Sequence, residues 1–188
     1  TTITHRKGYT KFLSPADGQA DEAGGISRIG RASAQLCRLA FELAKATDVA
    51  TIATLALTGL FEGTHADTGA VLLLPRDLRG DPQDANLEVL ASRTNTDLPY
   101  HRVSNFLAAT VLREGEAVLA RNILGDSAVT RRDSKGEIHA TSVICAPIRQ
   151  GKQVLGLVHL YSSTSEAVLD PDDLEYSLAV AETVAVAV

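Results

Sequence analysis

The sequence predicts an α+β domain. A central antiparallel sheet of five to six strands should carry N- and C-terminal helices on one face and a lid or short helix over the other. Three observations lead there. Long segments with apolar residues at three- and four-residue steps stand near both ends of the chain, as amphipathic helices require. Short, nearly continuous apolar runs fill the interval, as buried strands do. Those strands follow one another through short turns, which favours antiparallel pairing, and helices segregated from strands define the class.

Residues 1–25 read as a linker or arm, and 26–188 as one domain. The arm begins basic (His5, Arg6, Lys7, Lys11) and turns acidic and Gly-rich (Asp17, Asp21, Glu22, Gly24, Gly25), without apolar periodicity. Its basic cluster reads as a solvated tail rather than a binding patch. Ile29, Ala32, Leu36, Ala40 and Leu43 then mark an amphipathic helix, with Leu39 broadening the stripe. Asp48 is placed to cap a second helix that carries Ile52, Leu55, Ala56 and Leu60 and ends at Gly63.

TGAVLLL (68–74) is a buried central strand, 75–84 a surface loop holding two prolines, and 87–92 the antiparallel neighbour. Ser104 can cap a short helix with Phe106, Leu107 and Val111 that Gly115 closes, and 117–120 form a brief edge strand. Residues 122–140 lack periodicity; a loop this long inside a compact domain is usually functional or mobile. After a hairpin, Asp170-Pro171-Asp172-Asp173 opens the last helix with an N-cap, a proline at the first helical position and acids at the positive dipole end. Leu174, Leu178, Ala181, Ala185 and Val188 continue it on one face.

Composition narrows function. A chain of 188 residues, 45% hydrophobic and 22% charged, is ordinary for a globular domain with a core. With 4% aromatic residues, no Trp and a net charge of -5, it has neither stacking platforms nor a basic face, so no direct nucleic-acid binding is expected. No apolar run reaches the roughly 20 residues of a membrane span and no signal peptide opens the chain, so no membrane association is expected. Two cysteines, Cys37 and Cys145, are too few for a disulfide framework, which makes the cytoplasm the expected compartment. The absence of Met, initiator included, implies a piece of a longer protein. No phosphate-cradling glycine loop, metal-ligand spacing or nucleophile–base pair is visible, so neither catalysis nor a cofactor nor a metal is expected.

The stretch SVICAPIRQGKQVLGLVHLY (142–161) is two apolar runs joined by Gln150-Gly151-Lys152. A two- or four-residue turn puts Val143, Cys145, Pro147, Val154, Gly156, Val158 and Leu160 on one face. Ser142, Ile144, Ala146, Ile148, Leu155, Leu157, His159 and Tyr161 then share the other. A three-residue loop would flip one strand. The first face, with Gly156 open to close approach by a helix, is assigned to the helical layer. The second ends in Ser142, His159 and Tyr161, and buried polar groups need partners: a side-chain network, water or a ligand. Residues 122–140 are the natural cover for that face. This reading requires Cys145 and His159 on opposite sides of the sheet.

Five segments in this order resemble a GAF domain, the small-molecule-binding and dimerising sensor module of signalling proteins. They are TGAVLLL, FLAATVLREGEAVLARNIL (106–124), SVICAPI (142–148), VLGLVHLYSS (154–163) and DPDDLEYSLAVAETVAVAV (170–188). The resemblance implies a GAF/PAS-like architecture, an unknown small-molecule ligand, and a role in signal transduction or transcription regulation. The segment RDSKGEIHATSVICAPI (132–148) further resembles GAF domains that follow a forkhead-associated domain in bacterial regulators. That likeness implies an upstream forkhead-associated domain and a downstream output domain, a sigma-54-activating ATPase, a kinase or a cyclase. Three specialised activities lack their residues. The Asn-Lys-Phe-Asp-Glu set of cyclic-nucleotide binders has no counterpart, His139 has no neighbouring cysteine for a bilin, and sulfoxide-reducing members use several cysteines.

The candidate pocket is therefore Ser142, Ile144, Leu157, His159, Tyr161, Phe106 and Arg121. His159 could recognise an acidic ligand and switch charge near neutral pH, or be a satisfied histidine at the sheet edge. Arg121, with Arg131 and Arg132, could clamp a carboxylate or phosphate, or be solvated loop charges. Phe106 could floor a cavity or simply anchor the core. Cys145, between Ile144 and Ala146, reads as an inert core thiol. The terminal helices have more apolar surface than a one-sided helix needs, which suits either a homodimer through a parallel helical bundle or deep burial in one subunit. The rival functional reading is a structural dimerisation module with no ligand.

Overall fold

The computed structural model describes residues 1–10, 28–78, 80–121, 142–164 and 167–188. Six antiparallel strands form one sheet: β1 (Thr2–Lys7), β2 (Thr68–Leu73), β3 (Glu88–Thr94), β4 (Ala117–Arg121), β5 (Ser142–Gln150) and β6 (Gln153–Ser162), in the spatial order β1-β4-β5-β6-β2-β3. Four helices accompany them: α1 (Arg28–Leu43), α2 (Val49–Gly63), α3 (Asn105–Glu114) and α4 (Pro171–Ala187). Helices α1, α2 and α4 lie behind the sheet and α3 in front, the α+β arrangement expected.

The helix starts follow capping chemistry. The Asp48 carboxylate accepts from the Thr51 amide at 2.8 Å and the Ser104 hydroxyl from the Leu107 amide at 3.4 Å. Asp170 accepts from the Asp172 and Asp173 amides, both at 2.8 Å, while Asp173 returns a bond to the Asp170 amide at 2.9 Å, a complete capping box. Gly115 closes α3 in the left-handed conformation, at φ 66°.

Two apolar cores result, one on each side of the sheet. Behind it, Leu36, Leu39, Leu43, Leu57 and Leu60 from α1 and α2 meet Leu174, Leu178 and Val184 of α4 over Val71, Leu119, Ile144, Ile148, Val158 and Leu160. In front, Leu107, Val111 and Leu112 of α3 cover Ala70, Leu72, Val118, Cys145 and Leu157. In α1 the buried stripe is Leu36, Leu39 and Leu43, while Ala40 faces outward.

Three sequence-based assignments change: the start of the arm, the place of β4 in the sheet and the faces of the hairpin. The start of the arm is an edge strand: β1 pairs with β4 from Thr2↔Arg121 to Lys7↔Ala117, which makes β4 an interior strand. The arm shows no apolar alternation because an edge strand needs only main-chain pairing. Residues 11–25 of the arm, and the expected lid at 122–140 with Arg131, Arg132 and His139, lie outside the described residues.

The third change is in the hairpin. A two-residue turn joins Gln150 to Gln153, but the register slips between Ile148 and Arg149, leaving Leu155 without an opposite residue. This bulge acts as a third loop residue and turns β6 over relative to β5. Cys145 therefore faces its pair His159 across the strands, and both lie on the front. Gly156 is crowded by β2, not by a helix: a Cβ there would lie 2.1 Å from the Leu72 carbonyl oxygen.

Candidate functional site

The flipped β6 places Leu157, His159 and Tyr161 together on the front face, as expected of that strand, but separates them from Ser142 and Ile144. Ser142 and Ile144 point into the helical side. The Ser142 hydroxyl accepts from the Leu169 amide at 2.9 Å, just before α4, and Ile144 is fully buried in the rear core. Phe106 is 60% exposed on α3 and neither floors a cavity nor anchors the core; its neighbour Leu107 fills the inward position. Arg121 is exposed at the end of β4, between Thr2 and Ser142 in register.

The residue missed by sequence reasoning is Tyr100. It lies in the loop between β3 and α3, carried over the front of the sheet by LPYH (98–101), and its hydroxyl meets His159 Nδ1 at 2.8 Å. The Tyr161 hydroxyl accepts from the His101 amide at 2.9 Å, so the same loop is pinned twice to β6. The rings form a triangle. Tyr100 meets His159 edge-on with centroids 5.6 Å apart, stacks on Tyr161 at 6.2 Å, and His159 lies 5.4 Å from Tyr161. An aromatic and a histidine beside Pro99 were the available signal, in a chain with only four Tyr.

Burial fixes the charge state of this cluster. His159 is 4% exposed, and desolvation lowers its imidazole to about 3, so it is neutral at physiological pH rather than poised to switch. Desolvation raises the Tyr100 and Tyr161 phenols and the Cys145 thiol. Cys145 and His159, although paired in register, thus form no thiolate–imidazolium couple. The arrangement can present neutral hydrogen-bonding groups and aromatic faces. Neither the thiol nor the phenols are ionised there.

Among the described residues one other group has metal-ligand types together: His65, Asp170 and Asp173, with ligand atoms within 4.8 Å of one another. Helix capping accounts for it. Asp173, 1% exposed, is held by the Asp170 amide and lies 3.0 Å from His65 Nδ1, tying the α2–β2 turn to the start of α4.

The chain belongs to the GAF family: the family profile described as "GAF domain" matches residues 46–188. No curated protein matches significantly. Among solved structures, the chain is similar to the GAF domain of a phosphoenolpyruvate-protein phosphotransferase from Coxiella burnetii, at 15% identity and TM-score 0.59, covering 82% of this chain and 90% of that one. It is similar to a free methionine-R-sulfoxide reductase from Neisseria meningitidis in complex with its substrate, at 16% identity and TM-score 0.60, covering 92% and 95%. It is also similar to the chromophore-binding domain of a bacteriophytochrome from R. palustris, at 12% identity and TM-score 0.58, covering 88% and 61%. At these identities the likeness is one of fold. GAF domains are sensory and regulatory modules of signalling proteins, which is the coarse function this membership gives. No helix among the described residues is long and apolar enough to cross a membrane.

Proposed function

We propose that this chain is a regulatory, non-catalytic GAF domain that senses a small molecule on the front of its sheet, beside Tyr100, His159 and Tyr161. The sensor reading drawn from the sequence required Cys145 and His159 on opposite faces; they share one, so that reading loses its original footing together with its pocket. What supports the reading instead is the buried aromatic–histidine cluster itself. Three polar rings on one end of an otherwise apolar face are costly unless they keep partners; His159 Nδ1 has its partner in Tyr100, and the proposed ligand would be met by Nε2. An uncharged imidazole offers one donor or one acceptor according to its tautomer and no charge, so it suits an uncharged hydrogen-bonding group better than a carboxylate.

The test is a thermal-shift and NMR screen of a metabolite panel against the protein and its Tyr100→Phe and His159→Asn variants. A genuine ligand moves resonances of Tyr100, His159 and Tyr161 and binds each variant about tenfold more weakly, the worth of one buried hydrogen bond. Binding untouched by both variants would overturn this site.

Dimerisation is the second part of the reading, supported by a groove of about 630 Å³ between α1 and the end of α4, lined by Leu36, Cys37, Ala40, Leu43, Val186 and Ala187. Phe41 and Val186, 71% and 87% exposed, stand on these same two helices. A homodimer through the terminal helices would cover them. If the wild type sediments as a dimer, Phe41→Glu should yield a monomer. If it is a monomer at every concentration, this part fails. A forkhead-associated domain upstream, an output domain downstream and a bacterial source complete the proposal on the sequence resemblance alone, and a cytoplasmic setting on the low cysteine count.

A further inference from the structure

The first ten residues lie outside the family match at 46–188, yet they are held by the main chain of one neighbour and by side chains on both faces of the sheet. Main-chain pairing holds β1 along the free edge of β4. A register shift after Ile3 sets the direction of the residues that follow. Arg6 then reaches forward to Glu114 at the end of α3, and Lys7 reaches back to Glu175 on α4. Beyond the strand, the Thr10 hydroxyl donates to Glu175 at 2.9 Å. Arg149 of β5 donates to the Gly8 carbonyl and lies 4.4 Å from the Tyr9 ring.

These contacts have the anatomy of peptide recognition rather than of a core. The strand contributes little apolar burial: Ile3 packs against the front core, but the strand's residues are exposed or half-exposed and Tyr9 is 77% exposed, while Thr10 beyond it is buried. What holds it is a sheet edge for the main chain, plus an acid on each face for two adjacent cations. The Glu175 side chain is only 2% exposed, a buried carboxylate on α4 opposite a cation from an edge strand.

We propose that the edge of β4, flanked by Glu114, Glu175 and Arg149, is a binding site for an extended dibasic peptide, and that the protein's own residues 2–10 occupy it in cis and reversibly. Release frees the β4 edge and uncovers Glu175 on α4, so an event at the N-terminus is felt on the C-terminal helix. The inference is independent of the front-face ligand site.

The test uses the full chain. Hydrogen exchange should show the β1 amides, and the β4 amides bonded to them, opening well before those shared by β5 and β6, and faster in high salt. The isotope-labelled peptide Thr1–Thr10 is then added in trans. Because the tethered segment competes at about millimolar effective concentration, the wild type should take it up only at comparable peptide concentration. Lys7→Ala, which weakens the cis segment, should bind the peptide at least about fivefold more tightly. Glu175→Gln, which damages the receptor, should bind it more weakly than the wild type.

Exchange of β1 only through global unfolding, or no uptake by the Lys7→Ala chain, would overturn the proposal. Uptake that instead tracks dimer formation would assign the site to a second copy and overturn occupancy in cis. Should Glu175→Gln fail to fold, the Lys7→Ala chain and the exchange pattern still decide.

Discussion

At His159, an imidazole paired to a phenol is enclosed by Leu157, Cys145 and the β3–α3 loop, and the energetic consequence is measurable. Its folded value of about 3 lies below the ordinary 6.5, so between those values the unfolded chain binds the extra proton. The contribution of His159 to stability is therefore complete above pH 6.5 and is lost as pH falls toward 3, at a slope of about 1.4 kcal/mol per pH unit. Urea denaturation of wild type and His159→Asn across pH 4 to 7 should show this slope in the wild type and its absence in the variant; parallel profiles would refute it. Gly156 makes a second prediction at this scale. A methyl group 2.1 Å from the Leu72 carbonyl oxygen and 2.8 Å from the Leu73 Cα cannot be absorbed by a rotamer change. Gly156→Ala should destabilise by about 2 kcal/mol or more in chemical denaturation.

The helices behave as their ends instruct. Asp170 satisfies two orphan amides of α4, so Asp170→Ala should cost about 1–2 kcal/mol, whereas Ser104→Ala, losing one longer bond on the shorter α3, should cost less. A thermal melt of both variants orders them. The strands are harder. Two nearly continuous apolar runs identified β5 and β6 as elements and bracketed their turn, but which side chains share a face depended on one bulged residue, Leu155. Ser142 and Ile144 went to the helical side and Cys145 came to the front for that reason. No local preference distinguishes a two-residue turn with a bulge from one without, because the bulge is settled by how β6 docks on β2.

Across the whole molecule, α4 is the keystone. Residues Asp173 to Ala181 are all buried in one subunit, so the apolar surface that suggested a helical bundle mostly serves the monomer core. Among the described residues of the terminal helices, the last turn of α4, with Val186, and the outer face of α1, with Phe41, remain for a partner. The Tyr176 hydroxyl donates to the Gly59 carbonyl at 3.3 Å, and its ring fills the space beside Gly63. Tyr176→Ala should therefore loosen α2 from α4 and cost about 3–5 kcal/mol, read as a lower urea midpoint.

The sequence by itself determined the class of fold, the helix starts at Asp48, Ser104 and Asp170, the GAF resemblance and the gathering of Leu157, His159 and Tyr161 on one strand face. The resemblance rests on five segments in a given order; the others rest on spacing and capping, which act within a few residues of the chain. Only the tertiary structure decided that Tyr100 completes the cluster, that His159 stays uncharged, and that the basic start of the chain is a bound strand. Each of those depends on burial and pairing between segments dozens of residues apart, where desolvation and main-chain partners outweigh any local preference.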